Sequence, residues 1–283
     1  MDQPVAVVTG ANRGIGFEVA RGLAKRGLHV FAVARTPERA ERAATGLRAT
    51  SSEGKVTALA GDSASLASIR ALAAEISSRS GRVDALVLNA ASTPGRRLVT
   101  EDGYEAQFQV NHLAGFLLER LLADRLRSTA AQVGGARVVV VASEAHRRAK
   151  LDFDDLMYER RWYSKGGAYG ASKLANVLHA FALRRRLEGS GVTVNSVHPG
   201  VVSTRLLGGM FGPLYPVRFL FRSTESGAAP LIRLVLDPAV DGVSGRYFKR
   251  FDDVPSSASS VDEAAQERLW AVSEALVGLT PAA

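Results

Sequence analysis

The stretch Val5-Ala-Val-Val-Thr-Gly-Ala-Asn-Arg-Gly-Ile-Gly16 decides the fold of this chain. Its first five residues are apolar or β-branched and predict a buried strand, and the glycines after them are spaced as in a turn from a strand into a helix. Gly10 permits a tight turn, Gly14 lets the backbone approach a bound group, and Gly16 lets helix and strand pack closely. The stretch therefore predicts a strand, a glycine turn and a helix at the start of an α/β chain.

The same alternation of strand and helix continues almost to the carboxyl terminus. Strands that are apolar on both faces and alternate with helices indicate a parallel sheet covered on two sides. Right-handed crossovers then give an α/β, doubly wound parallel sheet, the Rossmann fold. We find no repeat and no linker, and we predict a single domain over residues 1–283. The predicted strands are 5–9, 29–34, 55–60, 85–88, 137–142, 193–197 and 245–248, and the predicted helices are 15–26, 37–50, 65–79, 101–127, 169–188, 224–236 and 262–277.

Composition excludes several classes of protein. Apolar residues make up 46% of the chain and charged residues 23%, as in a globular protein that can bury a core. The absence of cysteine excludes disulfides, thiolate catalysis and cysteine-bound metals, and no histidine spacing predicts a metal site. Apolar runs such as 138–142 are far shorter than the about 20 residues of a membrane helix. We therefore expect no signal peptide, no transmembrane anchor and a cytoplasmic location.

The net charge of +8 raises the question of a polyanionic partner such as nucleic acid or a membrane surface. The basic residues are dispersed, however, and Arg39, Arg42 and others lie at helical spacings beside acidic residues. We interpret them as solvated helix faces and expect no nucleic-acid partner.

The glycine turn can hold a dinucleotide, because the following helix directs free N–H groups and its positive dipole end toward phosphates. Asn12, Arg13 and Ile15 lie within this turn. The second strand ends at Arg35, where an acidic residue would favour NAD by binding the ribose hydroxyls. Arg13 and Arg35 can instead bind a 2′-phosphate, so we expect NADP(H) to be preferred and NAD(H) to remain possible. The alternative is that Arg35 is only a surface residue.

Further cofactor contacts are expected where the third and fourth strands end. Asp62 can accept a hydrogen bond from the adenine amino group, and Ser63 follows it. Asn89, Ala90 and Ala91 form a small-residue turn that lets a cofactor pass close to the backbone.

Tyr169 and Lys173 are four residues apart on a predicted helix and so share one face. A tyrosine has an ordinary pKa of about 10, and we expect the nearby ammonium to lower it. Lys173 can also donate to a nicotinamide ribose. Ser143 can hold a substrate oxygen, and Asn111 can organise a water that leads to Lys173. Taken alone, the Tyr-x-x-x-Lys spacing favours an ordinary surface pair.

Five motifs together resemble the short-chain dehydrogenase/reductase family, and most closely its retinol-dehydrogenase-like branch. The likeness covers nearly the whole chain and rests on Thr9-Gly-Ala-Asn-Arg-Gly-Ile-Gly16, Val110-Asn-His-Leu-Ala-Gly-Phe-Leu-Leu118, Val141-Ala-Ser-Glu-Ala-His146, Tyr169-Gly-Ala-Ser-Lys-Leu-Ala-Asn176 and Val197-His-Pro-Gly-Val-Val202.

The resemblance implies catalytic roles for Asn111, Ser143, Tyr169 and Lys173. It also implies nicotinamide contacts, an insertion at 144–167 and a substrate lid at 203–222. The nicotinamide contacts are Pro199, Val202 and Thr204. The chain departs from the family where Ala91 replaces the usual glycine, which is costly if that residue needs a positive φ.

The expected function is that of an NADP(H)-dependent oxidoreductase that interconverts a hydrophobic ketone or aldehyde and the alcohol. A non-catalytic dinucleotide-binding sensor or scaffold is the alternative, because a fold does not guarantee chemistry. The apolar and basic segment 211–222 leaves open a peripheral membrane enzyme, although a lid over the substrate is the simpler interpretation. The resemblance further suggests a homodimer or homotetramer paired through helices 101–127 and 169–188.

Overall fold

The protein is described by a computed structural model that covers residues 3–51, 53–202 and 222–279. Within these residues the strands form one sheet in the order β3-β2-β1-β4-β5-β6-β7-β8. Every neighbouring pair is parallel except β7 and β8, so the doubly wound parallel sheet is confirmed. The strands are β1 (Val5–Thr9), β2 (His29–Ala34), β3 (Val56–Ala60), β4 (Ala85–Leu88), β5 (Ala136–Val141), β6 (Val192–His198), β7 (Tyr247–Lys249) and β8 (Asp252–Asp253).

Helices cover the sheet on both faces, as its two-sided apolar strands require. In β4, Leu86 packs into one core cluster and its neighbour Val87 into the other, because successive side chains of a strand point to opposite faces. One cluster contains side chains of α3, α5, α6 and α9, and the other contains side chains of α1, α2 and α7. The described helices are α1 (Gly14–Ala24), α2 (Pro37–Arg48), α3 (Leu66–Arg79), α4 (Ala106–Phe108), α5 (Ala114–Val133), α6 (Lys165–Arg186), α7 (Thr224–Leu236), α8 (Ala258–Val261) and α9 (Glu263–Leu276).

The predicted helix 101–127 is wrong at both ends. Residues before Ala106 form a turn in which Gly103 has a φ of +85° and Val99 bridges to Glu105. The Glu105 side chain then caps the helix by accepting from the Phe108 N–H. A π-helical turn separates α4 from α5, which ends only where Gly134 adopts a φ of +86°. Glycine and a capping carboxylate, rather than apolar spacing, set these boundaries.

Two more boundaries differ from those predicted. The helix expected at 169–188 begins earlier, at Lys165, because the Ser164 side chain caps it by accepting from the Gly167 N–H. The strand expected at 245–248 is β7, and the two-residue β8 after it was not predicted. Within the expected insertion 144–167, the structure contains a short 3-10 helix, Glu144–Arg148.

The carboxyl-terminal helix α9 packs against α6, where Trp270 contacts Phe116 and His179. Pairing between subunits stays a prediction, and the face of α6 under α9 is not available for it. None of the helices in the described ranges is long and apolar enough to cross a bilayer. The expected lid at 203–222 falls outside the described residues except for Arg222, as does the proposed membrane-contacting segment.

Candidate active site

An open cleft of about 1220 Å³ runs along the carboxyl ends of the parallel strands. This edge of a doubly wound sheet is where ligands bind, because strand ends and helix amino termini converge there. Three of the four expected catalytic residues line it, namely Ser143, Tyr169 and Lys173. The expected cofactor residues within the described ranges all line it as well: Gly10, Asn12, Arg13, Gly14, Ile15, Gly16, Arg35, Asp62, Ser63, Asn89, Ala90, Tyr169, Lys173, Pro199 and Val202.

The glycine turn has a backbone that only glycine adopts without strain. Gly10 has a φ of +68° and Gly14 a φ of +59°. A Cβ at Gly16 would lie 2.4 Å from the Gly10 carbonyl oxygen and 2.4 Å from the Asn89 side-chain nitrogen. Arg13 precedes α1 without a side-chain cap, so the first N–H groups of α1 are free to bind an anion. The cradle therefore fits the phosphates of a dinucleotide.

Thr9 joins this turn to the end of β4. Its hydroxyl oxygen accepts hydrogen bonds from the backbone N–H groups of Asn89 (2.9 Å) and Ala90 (3.0 Å). The Asn89 amide in turn donates to the Thr9 carbonyl oxygen over 2.8 Å. Sequence reasoning treated Thr9 only as a strand residue, although a threonine at the end of a buried strand is a signal for such a bridge. The neighbouring Ala91 does not have a positive φ, so its methyl group causes no backbone strain.

The end of the cleft at which the adenosine is expected, called the adenosine end below, is rich in guanidinium groups. Arg35 lies 3.3 Å from an Asp62 carboxylate oxygen, and Asp62 also accepts from the Ala64 N–H. Arg39 and Arg42 are exposed on their helix, as expected, and they also line this end of the cleft. Their spacing of three on the helix directly after Arg35 places them on one helix face, and this was the signal that could have found them.

The tyrosine expected to be catalytic is buried. Tyr169 is only 8% exposed, and burial raises its pKa to about 12, although a hydrogen bond with Ser143 acts to lower it. The expectation that Lys173 lowers this pKa is not met. The Lys173 Nζ atom lies 5.8 Å from the centroid of the Tyr169 ring and donates to the Val141 carbonyl oxygen over 2.9 Å. Tyr169 therefore holds its proton at neutral pH.

Lys173 is also an unusual lysine, since it is 1% exposed. Burial disfavours its charged form and lowers the pKa of Lys173 to about 8. Asn176, one turn further along α6, donates to the same Val141 carbonyl oxygen over 3.1 Å. These bonds attach α6 to the end of β5, next to Ser143.

Asn111 does not line the cleft. It lies in the π-helical turn, and its side-chain oxygen accepts from the Ser92 N–H over 2.7 Å. Its amide nitrogen donates to the Ser92 carbonyl oxygen (3.1 Å) and to the Ser172 hydroxyl (3.0 Å). Ser172 then donates to the Tyr169 carbonyl oxygen over 2.8 Å. The side chain of Asn111 thus supports the backbone of Tyr169, and its expected role in organising a water that leads to Lys173 stays a prediction.

The expected nicotinamide end is formed by the residues that follow β6. Pro199 and Val202 line the cleft there, whereas Thr204 lies outside the described residues. His198 lies beside them, and burial lowers its pKa to about 4, so the imidazole is neutral at pH 7. The sequence analysis did not predict His198 as a residue of the site.

Glu144 and Lys249 also line the cleft and were not predicted as site residues. Glu144 accepts from the Tyr247 hydroxyl over 2.7 Å and forms an ion pair with Lys249 at 3.2 Å. Burial raises the pKa of Glu144, but hydrogen bonds from Tyr247, Arg147 and Lys249 outweigh burial and lower it to about 2. A charged carboxylate therefore lies next to Ser143.

Comparison with known proteins gives consistent matches. The family model described as short chain dehydrogenase matches residues 4–211. Human retinol dehydrogenase 13 is 42% identical over 284 residues, which is 96% of this chain and 84% of the relative. Two solved structures also match: the RhlG/NADP active-site complex of Pseudomonas aeruginosa and an actinorhodin polyketide ketoreductase with NADPH. The first is 27% identical with a TM-score of 0.70, covering 93% of this chain and 96% of its own. The second is 26% identical with a TM-score of 0.69, covering 88% and 95%.

Proposed function

Because the chain belongs to the short chain dehydrogenase family of oxidoreductases, we propose that it interconverts a hydrophobic ketone or aldehyde and the corresponding alcohol with NADP(H). The observation that carries this proposal is the continuity of the cleft. It begins at a glycine turn suited to phosphates and ends at Ser143, Tyr169 and Lys173. A dinucleotide held along it has its reactive end beside a proton donor.

Residues of the chain hold and transfer the proton that the reaction requires. When bound, NADP(H) supplies or accepts the hydride at the carbonyl carbon. In reduction, the Tyr169 hydroxyl gives its proton to the carbonyl oxygen, and its pKa of about 12 keeps that proton in place at neutral pH. Ser143 positions the same oxygen by hydrogen bonding. Lys173 holds the cofactor ribose and supplies positive charge as the phenolate develops. In oxidation these steps run in reverse.

The preference for NADP(H) is supported by charge at the adenosine end. Arg13, Arg35, Arg39 and Arg42 line this end together with one carboxylate, Asp62. A guanidinium binds a phosphate with charge-assisted, often bidentate hydrogen bonds. A 2′-phosphate would therefore gain more here than a ribose hydroxyl.

The hydrophobic substrate class is supported by two relatives. One is named a retinol dehydrogenase and another a polyketide ketoreductase, and both names refer to carbon-rich, poorly charged molecules. We extend this class, without a particular compound, to the present chain.

The test is to follow the absorbance of NADPH and, separately, NADH with a panel of hydrophobic aldehydes and ketones. We expect consumption that favours NADPH. Tyr169→Phe should reduce turnover by a factor of at least about a hundred while it retains NADPH binding, because only the acidic proton is removed. Tyr104→Phe is the matched control, since the Tyr104 hydroxyl donates to the Leu276 carbonyl oxygen outside the cleft.

Two outcomes would count against the proposal. Wild-type turnover in Tyr169→Phe would refute the role of Tyr169 as the acid. Tight NADPH binding without turnover of any carbonyl in the panel would favour a dinucleotide-binding sensor.

A further inference from the structure

The turn that carries Ser143 is closed by a buried histidine. His146 lies three residues after Ser143 and is fully buried. Its backbone N–H donates to the Ser143 carbonyl oxygen over 3.0 Å, and its ring Nδ1 lies 2.7 Å from the same oxygen. The Ser143 hydroxyl oxygen meanwhile accepts from the Ala145 N–H at 3.3 Å. Backbone and side chain of Ser143 are thus both held by the turn.

The hydrogen bonds determine the tautomer of His146. The backbone N–H of Ser257 donates to Nε2 over 3.2 Å, so Nε2 carries no proton. The proton of the neutral ring is then on Nδ1, which donates it to the Ser143 carbonyl oxygen. Burial lowers the pKa of His146, which agrees with a neutral ring.

Groups behind the turn hold the imidazole in place. The ring of Tyr247 packs against His146 with 4.7 Å between centroids, and its hydroxyl donates to Glu144. Arg147 pairs with Glu144 and also donates to the Pro255 carbonyl oxygen at 2.6 Å. The segment that contains Ser257 is therefore attached to the catalytic turn through two neighbouring residues.

We propose that His146 is a positioning residue that, through its Nδ1–H bond to the Ser143 carbonyl oxygen, orients the Ser143 hydroxyl toward Tyr169. This role rests on the proposed oxidoreductase function. The hydroxyl accepts from Ala145, so in the absence of substrate its single proton is free to be donated to the Tyr169 oxygen, which is the bond that favours the phenolate. Without the Nδ1 bond, the Ser143 carbonyl oxygen is held only by the His146 backbone N–H, so the direction of the Ser143 hydroxyl is less restricted.

Two substitutions of His146 test the roles of its two ring nitrogens separately. His146→Asn retains a donor near the Nδ1 position, and His146→Gln retains an acceptor near the Nε2 position. If the bond to Ser143 matters, the Gln variant loses about tenfold in kcat for carbonyl reduction, and the Asn variant loses clearly less. KM for NADPH should change little in both. His29→Gln is the matched control. His29 is the first residue of β2, where its ring contacts the Thr57 hydroxyl, and it lies at the amino ends of the strands, away from the cleft at their carboxyl ends.

A second measurement detects the hydrogen bond from the Ser143 hydroxyl to the Tyr169 oxygen and does not require turnover. Protein labelled with ¹³C at the tyrosine Cζ gives one resonance per tyrosine, and the resonance that is missing from Tyr169→Phe belongs to Tyr169. Ser143→Ala shifts this resonance by removing the donor. We expect His146→Gln to reproduce much of the shift and His146→Asn to reproduce little. In the Ser143→Ala background, His146→Gln should have no further effect on kcat.

The outcomes distinguish this proposal from the proposed function. If the wild type reduces no carbonyl, the function fails, and the Tyr169 resonance still decides the role of His146. Equal losses in both variants, with the Tyr169 resonance unmoved, would overturn the positioning role and leave a structural one. Additive losses with Ser143→Ala would also overturn it.

Discussion

Arg35 is the residue on which the proposed preference for NADP(H) can be tested most directly. Its side chain lies at the adenosine end of the cleft, where it is half-exposed and paired with Asp62. Arg13 and Arg39 have no carboxylate of the described residues within ion-pair distance. These neighbours limit the effect of any single substitution on the affinity for a 2′-phosphate, because each supplies part of the positive charge.

Replacing Arg35 with Asp should shift the preference from NADPH toward NADH. Loss of a charge-assisted contact and a new repulsion should raise KM for NADPH by about ten- to a hundredfold, with little change for NADH. Steady-state kinetics with both cofactors would measure this ratio. Arg79→Asp is a suitable control, since Arg79 pairs with Glu75 on α3 and is not among the residues that line the cleft. An unchanged ratio in Arg35→Asp would refute the 2′-phosphate contact.

Ala91 offers a test of the departure from the family pattern. Because its φ is not positive, glycine at this position gains nothing in the folded state and adds freedom to the unfolded chain. We expect Ala91→Gly to lower the free energy of unfolding by about 0.5–1 kcal/mol, as measured by urea denaturation. A more stable glycine variant would show that Ala91 is strained.

At the residue scale, the sequence predicted which side chains meet in the cleft but not their protonation. The order of Ser143, Tyr169 and Lys173 along the chain brings them to one edge of the sheet. The direction of the Tyr169 pKa shift was wrong, because burial depth and the bond from Lys173 to Val141 cannot be read from a spacing of four. The hydrogen bonds of the Asn111 amide to Ser92 and Ser172 could not be predicted from the sequence for the same reason.

At the scale of elements, boundaries were less predictable than the elements themselves. Apolar periodicity indicated the major helices, but caps and glycines decided where they begin and end. The Glu105 cap and the π-helical turn after α4 are both set by local hydrogen bonds. The two-residue β8 was beyond prediction, because its pairing with β7 depends on a tight turn at Arg250, which has a φ of +60°.

Packing of α9 on α6 gives a prediction at this scale. Trp270 is 5% exposed and lies beneath the Arg186 guanidinium, 3.9 Å from the ring centroid. Its replacement by alanine should reduce the free energy of unfolding by about 3–5 kcal/mol, because it removes a large buried side chain. Trp162, which is 91% exposed, is the matched control and should change stability by no more than about 0.5 kcal/mol. Urea denaturation of both variants would measure the difference, and equal effects would contradict the packing of α9.

At the scale of the whole molecule, buried histidines predict acid sensitivity. Burial lowers the pKa of His29 and of His198 to about 4, and it lowers the pKa of His112 well below the ordinary value of 6.5. Between pH 6.5 and 4 the unfolded chain binds protons that the folded chain does not. The free energy of unfolding should therefore be fully retained above pH 6.5 and fall as the pH drops toward 4.

Urea midpoints at pH 7.5, 6.0, 5.0 and 4.5 would measure this loss. His198→Gln should make the dependence on pH shallower, because one of the groups that titrates differently in the two states is removed. A midpoint that stays constant between pH 7 and 5 would contradict the prediction. Glu144 and Glu267, whose pKa values are lowered to about 2, add a further loss only below their ordinary values of 4.5.

The sequence by itself determined the doubly wound sheet, its glycine turn and the side-chain types that reach its carboxyl edge. Alternating apolar runs and a strand–glycine–helix junction are local patterns, and the handedness of parallel crossovers leaves few ways to arrange them. Only the tertiary structure decided the burial of Tyr169 and Lys173, the contact of Arg39 and Arg42 with the cleft, and the bond from His146 to Ser143. Burial and contact depend on groups that are distant in sequence, and these come together only when the sheet has formed.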